Sequence, residues 1–143
     1  MIELATAHAT STAPPAAFFE RWADTDTWPA WNADTEWVRL DGPFAEGATG
    51  TLKPRGGPKV GFVVEELVPD KVFTDVSSLT GARMTFAHRV DGHAGTTTVD
   101  VDVTLTGPLA RLWVWVIGRG IRRTLQADLD RLVTAAEAAG VPR

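Results

Sequence analysis

The sequence contains no cysteine and no tyrosine among its 143 residues. The absence of cysteine excludes a disulfide framework, a thiolate nucleophile and a cysteine-based zinc site. The absence of tyrosine removes the phenol as an acid or hydrogen-bond donor. Any chemistry on this chain must therefore use histidine, carboxylate, arginine, lysine, hydroxyl or amide groups.

Histidine is also scarce, and the three histidines are not spaced as metal ligands. We therefore expect no metal and no organic cofactor. No apolar run reaches the roughly 18 residues of a membrane-spanning helix, and the first residues do not resemble a signal peptide. A formal net charge of -4 offers no attraction for nucleic acid or an anionic membrane. We expect a cytoplasmic protein without stable membrane insertion.

Apolar residues, in contrast, are plentiful. The chain is 44% hydrophobic, with six tryptophans and six phenylalanines. Its mass of 15.4 kDa suits one domain, residues 1–143, with a substantial core. The large apolar anchors are therefore bulky aromatic side chains that do not titrate.

The chain opens with one strand and two short helices. Ile2–Thr12 alternates loosely and predicts a strand. Pro14 and Pro15 end it, and Pro15–Ala23 predicts a helix with proline at its start. Polar residues that favour helix N-caps then precede a second short helix, which holds Trp28–Trp31.

Beyond residue 35 the apolar period changes to two, which is typical of half-buried strands. Turn residues such as Asp91-Gly92 separate the segments, and such short links favour antiparallel pairing. The predicted strands are Glu36–Leu40, Gly50–Pro54, Lys59–Val68, Lys71–Ser78, Arg83–Val90 and Thr96–Thr106.

One long helix closes the chain, from Gly107-Pro108 to about Ala139. Helical spacing predicts an apolar stripe facing the sheet, and the stripe shifts around the axis near Gly118 and Gly120. Two interpretations stay open there: a bend, or a continuous helix that tolerates two glycines. The predicted stripe is Leu109, Leu112, Trp113, Val116, Ile117, Ile121, Leu125, Leu129, Leu132 and Ala136.

This order resembles the helix-grip fold of the SRPBCC superfamily, and most closely its polyketide cyclase/dehydrase-like group. The residues that carry the resemblance are Ala13-Pro14-Pro15, Trp22-Ala23-Asp24, Thr27–Asn32, Gly47–Gly50 and Gly107-Pro108-Leu109. The resemblance implies an α+β fold: a curved seven-stranded antiparallel sheet around a long C-terminal helix, with two short helices after strand 1. It also implies a cavity between sheet and helix, but it is poor evidence for function.

Two functions follow from the resemblance. The first is binding, or transport, of a small hydrophobic, lipid-like or aromatic molecule in that cavity. The second is a polyketide cyclase/aromatase-like activity that closes and dehydrates a poly-β-ketone by aldol chemistry. The absence of tyrosine and of an obvious inward arginine weakens the second.

His88 is the catalytic candidate. Strict alternation places Met84, Phe86, His88 and Val90 on one face of their strand. An inward histidine could polarise a ligand carbonyl or move a proton near neutral pH. The alternative is a core histidine that is hydrogen-bonded to backbone or water. Asn32 would be the carbonyl contact.

The ligand-binding candidates are mostly aromatic. Trp28 and Trp31 lie where the family implies the rim of the cavity, and a plain core role is the alternative for all of them. The full set is Trp28, Trp31, Asn32, Trp37, Phe62, Phe73, Phe86, His88, Trp113 and Ile117.

Other polar features are weaker candidates. Glu66 alternates with apolar residues and could point inward, whereas Asp100 and Asp102 alternate with valines on the expected solvent face. His8 has an ambiguous face, and His93 lies in a hairpin turn. On the last helix, Trp115 lies between arginines on the side opposite the apolar stripe. That face predicts a homodimer contact or cation–π packing, with a membrane-surface contact as the remaining alternative.

Overall fold

The computed structural model describes residues 1–139. The helices are α1 (Pro15–Ala23), α2 (Trp28–Trp31) and α3 (Ala110–Ala139), with a 3₁₀ turn at Thr25–Thr27 between the first two. The strands are β1 (Ile2–Ser11), β2 (Thr35–Leu40), β3 (Thr49–Pro54), β4 (Val60–Val68), β5 (Val72–Leu79), β6 (Ala82–His93) and β7 (Thr96–Thr106).

The seven strands form one antiparallel sheet in the order β1-β7-β6-β5-β4-β3-β2. Strands β2 to β7 are consecutive neighbours, joined by tight turns from β4 onward and by longer loops on either side of β3, and β1 pairs with the last strand. The predicted fold class is confirmed. Each predicted strand is present, and the largest difference in bounds is in β6, which extends three residues further, to His93.

Strand register decides which side chains face the helices. In β7, Val99, Val101, Val103 and Leu105 are all buried, and they pair with Val90, His88, Phe86 and Met84 of β6. Directly paired residues share a face of a sheet. The face predicted for His88 from alternation is therefore the concave face, which the helices cover.

A bulge in β4 reverses one predicted orientation. The register shifts between Val64 and Glu66, so that Leu67 takes the position opposite Phe73. A shift of one residue moves every following side chain to the other face. Glu66 is exposed, so the inward orientation that alternation allowed for it is not the one found.

Helix α3 lies along β1, one of the two edge strands of the sheet, and bonds to its backbone. The side-chain amide of Gln126 accepts from the His8 N–H at 3.2 Å and donates to the His8 carbonyl at 2.9 Å. Arg122 Nε donates to the Leu4 carbonyl at 2.8 Å. These bonds satisfy edge groups that would otherwise be open to another strand.

Gly118 permits the close approach of this helix to β1. A Cβ atom at Gly118 would lie 3.0 Å from the Leu4 side chain, whereas one at Gly120 would meet nothing within 4 Å. Helix α3 continues through Gly118 and Gly120 without a break.

The first half of α3 is rotated from the predicted orientation. The predicted stripe places Leu109, Leu112 and Val116 against the sheet, but they are exposed, and this prediction is wrong. Ala110, Val114 and Gly118 face inward instead, on the same side as the later core positions. Those later positions, predicted correctly, include Leu129, Leu132 and Ala136. In the described part of the chain, no helix has both the length and the hydropathy to cross a bilayer.

Candidate ligand site on the concave face

Two neighbouring strands at the centre of the sheet bring three polar side chains together among apolar ones. The concave face of β5 carries Phe73, Asp75 and Ser77, and each pairs with a residue of β6. The pairs are Phe73 with His88, Asp75 with Phe86 and Ser77 with Met84. His88 is thus the diagonal neighbour of Asp75, a placement that typically separates Cα atoms by about 7–8 Å.

Phe73 contacts the imidazole of His88 through both its backbone carbonyl and its ring. Its Nδ1 lies 2.9 Å from the Phe73 carbonyl, and its ring stacks on the Phe73 ring with centroids 5.1 Å apart. A carbonyl only accepts, so Nδ1 carries the hydrogen and Nε2 is the free acceptor in the neutral ring. Burial lowers the pKa of His88 to about 4, although the bond to the Phe73 carbonyl opposes this. His88 is therefore neutral at pH 7.

Asp75 is the carboxyl group of this face. Its side chain is 5% exposed, and its Oδ1 is buried without a hydrogen-bond partner. Burial raises the pKa of Asp75 to about 7, offset in part by its own backbone amide. Near neutral pH this carboxyl exchanges between a neutral donor and a charged acceptor.

Four of the predicted ligand contacts are core residues that pack against one another. Trp28, Trp31, Phe62 and Phe73 are all buried. Trp28 lies with its ring centroid 5.7 Å from Trp31, 6.2 Å from Phe62 and 5.9 Å from Phe73. The absence of a side chain at Gly50 makes room for Phe62, since a Cβ there would lie 2.5 Å from its ring. Much of the implied cavity is therefore occupied by the aromatic cluster.

The accessible part of the concave face lies beside this cluster. Met84, Phe86 and His88 point toward the helices, yet each stays partly exposed. Trp113 and Ile117, one turn apart on α3, are also partly exposed, and Trp113 Nε1 donates to the Thr80 carbonyl at 2.8 Å. We call these five partly exposed side chains, Met84, Phe86, His88, Trp113 and Ile117, the trough.

Two depressions lie outside the trough. One of about 600 Å³ is an open groove beside Pro15, Lys71 and the His93 hairpin. Another of about 490 Å³ lies at the start of α3, beside Gly81 and Pro108. Neither is the enclosed cavity between sheet and helix that the resemblance implies.

Two predicted contacts lie away from the trough. Trp37 pairs with Lys53 on the convex face, and the Arg39 guanidinium lies 5.3 Å from its ring centroid. The neighbouring Val38 points inward instead, so Trp37 as a wall of the cavity is wrong. Asn32 ends α2, where its backbone N–H donates to the Trp28 carbonyl at 2.8 Å. No side-chain contact in the described residues ties Asn32 to His88.

Sequence reasoning missed two members of the site. Trp22 is fully buried, and its ring centroid lies 5.2 Å from that of His88. Its Nε1 is buried without a partner. Asp75 lies two residues from Phe73, which the sequence predicts to face inward. The alternation that predicts an inward Phe73 therefore also predicts that Asp75 faces inward.

The remaining histidines are surface residues. His8 is exposed and its Nδ1 lies 2.7 Å from Asp100 Oδ1. Asp102 lies 3.8 Å from Arg89, so both carboxylates lie on the convex face, as predicted. His93 is exposed in its hairpin.

The outer face of α3 carries an unusual group of exposed apolar side chains. Trp115 is 85% exposed, Val116 59% and Leu112 52%. In the described residues, the cation–π contact found is that of Arg39 with Trp37, so cation–π packing of Trp115 is not present. Within residues 1–139, nothing covers this face.

Comparison with known proteins identifies the fold. No model of a known protein family matches the chain, and no curated protein matches it. Among solved structures, the di-domain ARO/CYC BexL from the BE-7585A biosynthetic pathway superposes with a TM-score of 0.73 at 18% identity, covering 99% of this chain and 48% of BexL. DynU16, from the dynemicin biosynthetic locus, has a TM-score of 0.70 at 17% identity, covering 95% and 48%.

A third similar structure is that of Ara h 8.0201, with a TM-score of 0.71 at 15% identity, covering 93% of this chain and 96% of that one. This chain thus spans about half the length of BexL and DynU16, and nearly all of Ara h 8.0201. At such identities the likeness shows the fold alone, which is the helix-grip fold that the resemblance implied.

Proposed function

We propose that this protein binds a small hydrophobic or aromatic molecule in the trough. The observation that carries the proposal is the partial exposure of Met84, Phe86 and His88 on the face of the sheet that the helices cover. Inward apolar residues are normally closed off by the helix above them. Here the first half of α3 leaves them open to an apolar ligand.

Apolar burial would supply most of the affinity. Each Å² of apolar surface removed from water contributes roughly 25 cal/mol, less the cost of ordering the ligand. The aromatic cluster behind the trough provides a rigid wall, because Phe73 contacts Trp22, Trp28 and Phe44 at ring-centroid distances of 5.8, 5.9 and 5.2 Å. A preformed wall lowers that ordering cost.

Native mass spectrometry of protein purified from its own host, followed by denaturing extraction, tests whether a ligand is retained. Titration with a neutral apolar fluorophore tests the trough directly. We expect Phe86→Ala to weaken fluorophore binding by about tenfold, since a buried phenyl contact is lost. Trp37→Ala removes an aromatic residue from the convex face and should leave binding unchanged. Equal affinity of both variants would place the ligand elsewhere.

A second candidate function is a cyclase-like reaction on a poly-β-ketone. The observation that favours it is the pair of titratable groups, His88 and Asp75, on adjacent strands with pKa values shifted in opposite directions. Such pairs are typical of acid–base sites. The apolar wall would hold the flexible chain in a reactive conformation.

Of the two groups, Asp75 is better matched to proton transfer near pH 7, because a general acid or base works best when its pKa is close to the working pH. His88 would accept a hydrogen bond through Nε2. If the protein is an enzyme, His88→Ala should lower the turnover of a poly-β-ketone by a larger factor than it weakens its binding. Equal binding and equal turnover in variant and wild type would remove His88 from the catalytic role.

A further inference from the structure

We propose that Asp75 is the polar recognition group of the trough, and that it selects a neutral ligand with an acceptor oxygen, such as a ketone, over an anionic one. This inference rests on the proposed function, because it requires a ligand in the trough. It adds to that function a named contact and a chemical preference.

The surroundings of Asp75 leave one oxygen of its carboxyl group, Oδ1, without a partner. Across one side of β5, Asp75 pairs with Val64, which is fully buried, and across the other with Phe86. Along β5 its neighbours on the same face are Phe73 and Ser77. Buried polar atoms are nearly always hydrogen-bonded, so an orphaned carboxyl oxygen in such a place indicates a missing partner.

The groups that face Asp75 define the chemistry it can accept. Strand β4 presents Phe62, Val64 and Leu67, and β6 presents Met84, Phe86 and His88, of which only His88 titrates. On the facing helix α1, Phe18 is apolar, Trp22 Nε1 and Arg21 Nε are buried without a partner, and Arg21 does not contribute to the pKa shift of Asp75. No cation acts on Asp75 itself, so an anionic group placed beside Asp75 would face a carboxyl group.

A neutral carbonyl ligand fits these groups. Protonated Asp75 is a hydrogen-bond donor, and a ketone oxygen is the matching acceptor. Phe86, its direct cross-strand neighbour, is partly exposed and forms part of the trough, so the carboxyl group lies one side chain from accessible surface. Ionised Asp75 can no longer donate, so the preference for the ketone should fade as the pH rises above about 7.

The test compares two uncharged naphthalene fluorophores that differ in one group. One probe is 6-propionyl-2-dimethylaminonaphthalene, a planar ketone, and the other is 2-dimethylaminonaphthalene, which lacks the carbonyl. For the wild-type protein at pH 6 we expect the ketone to bind about tenfold more tightly than its parent, the effect of one buried hydrogen bond. This preference should fall to nearly none at pH 9.

Two variants isolate the carboxyl group. Asp75→Val removes the donor, so the ketone and its parent should bind alike at every pH. Asp75→Asn keeps a donor that does not titrate, so the ketone preference should survive and become independent of pH. His88, with a pKa of about 4, stays neutral across this range. Circular dichroism confirms that each variant is folded before titration.

The outcomes separate the two proposals. If neither probe binds wild-type protein, the proposed function fails and the role of Asp75 fails with it. If both probes bind but Asp75→Val keeps the ketone preference, the proposed binding in the trough is supported and Asp75 is not its recognition group. A pH dependence that persists in Asp75→Asn would likewise exclude Asp75 from that role.

Discussion

The imidazole of His88 lies almost parallel to the ring of Phe73, at an angle of 13°, and donates its Nδ1 hydrogen to the carbonyl of that same residue at 2.9 Å. The ring stacking and the hydrogen bond thus both join the same cross-strand pair, Phe73 and His88. Because Phe73 is almost completely buried, the orientation of the imidazole depends on the packing of the core.

Loss of the Phe73 ring should destabilise the protein strongly. Phe73→Ala removes the ring that Trp22, Trp28, Phe44 and His88 all contact. Deletions of this size in a core reduce the free energy of unfolding by about 3–5 kcal/mol. Urea unfolding measures the loss. Trp37→Ala is the matched control on the convex face, where we expect a loss below about 1 kcal/mol; similar losses in both variants would contradict the core role of Phe73.

The carboxyl group of Asp75 should make the protein less stable as the pH rises. Between pH 4 and about 7 the folded state keeps a proton on Asp75 that the unfolded state has released. The free energy of unfolding then falls by up to about 1.4 kcal/mol per pH unit from this group and is constant above that range. Asp75→Asn should gain stability over wild type steadily from pH 4 to 7. A difference that does not vary with pH would show that Asp75 titrates normally.

His88 should act in the opposite sense. Between pH 6.5 and about 4 the unfolded state binds a proton that the folded state excludes, so stability is lost as the pH falls. Relative to wild type, His88→Phe should therefore gain stability as the pH decreases through this range. Denaturant titrations at pH 4.5 and 7.5 measure the change, and a constant difference between the two proteins would contradict the lowered pKa. The two groups nearly cancel in the wild-type protein between pH 4 and 6.5, so the variants are needed to reveal either.

The two glycines of α3 should respond differently to alanine. Gly120→Ala meets no neighbour and should stabilise the helix by up to about 1 kcal/mol. Gly118→Ala places its Cβ 3.0 Å from the Leu4 side chain, so the contact with β1 should offset that gain. Thermal unfolding compares the pair. Equal stabilisation would mean that α3 lies further from β1 than this distance implies.

The exposed face of α3 should affect self-association rather than folding. Trp115→Ser and Leu112→Ser change side chains that are mostly in water, so the free energy of unfolding should move by less than about 0.5 kcal/mol. If the homodimer predicted from the sequence uses this face, sedimentation velocity should show wild-type dimer and variant monomer at the same concentration. Dimerisation that survives both substitutions would place the contact elsewhere.

The sequence by itself determined the order of the elements and the face of most strand residues. Alternation predicted that Met84, Phe86 and His88 share the concave face, because the side-chain period of a strand is two wherever pairing is regular. The resemblance carried by residues 13–32, 47–50 and 107–109 and by the long terminal helix predicted the helix-grip fold. The same alternation carries a signal for Asp75, since it lies two residues from the inward Phe73.

The tertiary structure decided the features that depend on the pairing register of the strands and on the rotation of α3 about its own axis. A bulge after Val64 turned Glu66 outward, and alternation along one strand cannot reveal where a partner strand skips a residue. Helix α3 packs with Gly118 close to Leu4 and does not turn its most apolar side to the sheet. That rotation left Leu112 and Val116 in water. Whether an inward aromatic residue lines a trough or fills the core likewise depends on which neighbours reach it, and those neighbours are distant in the chain.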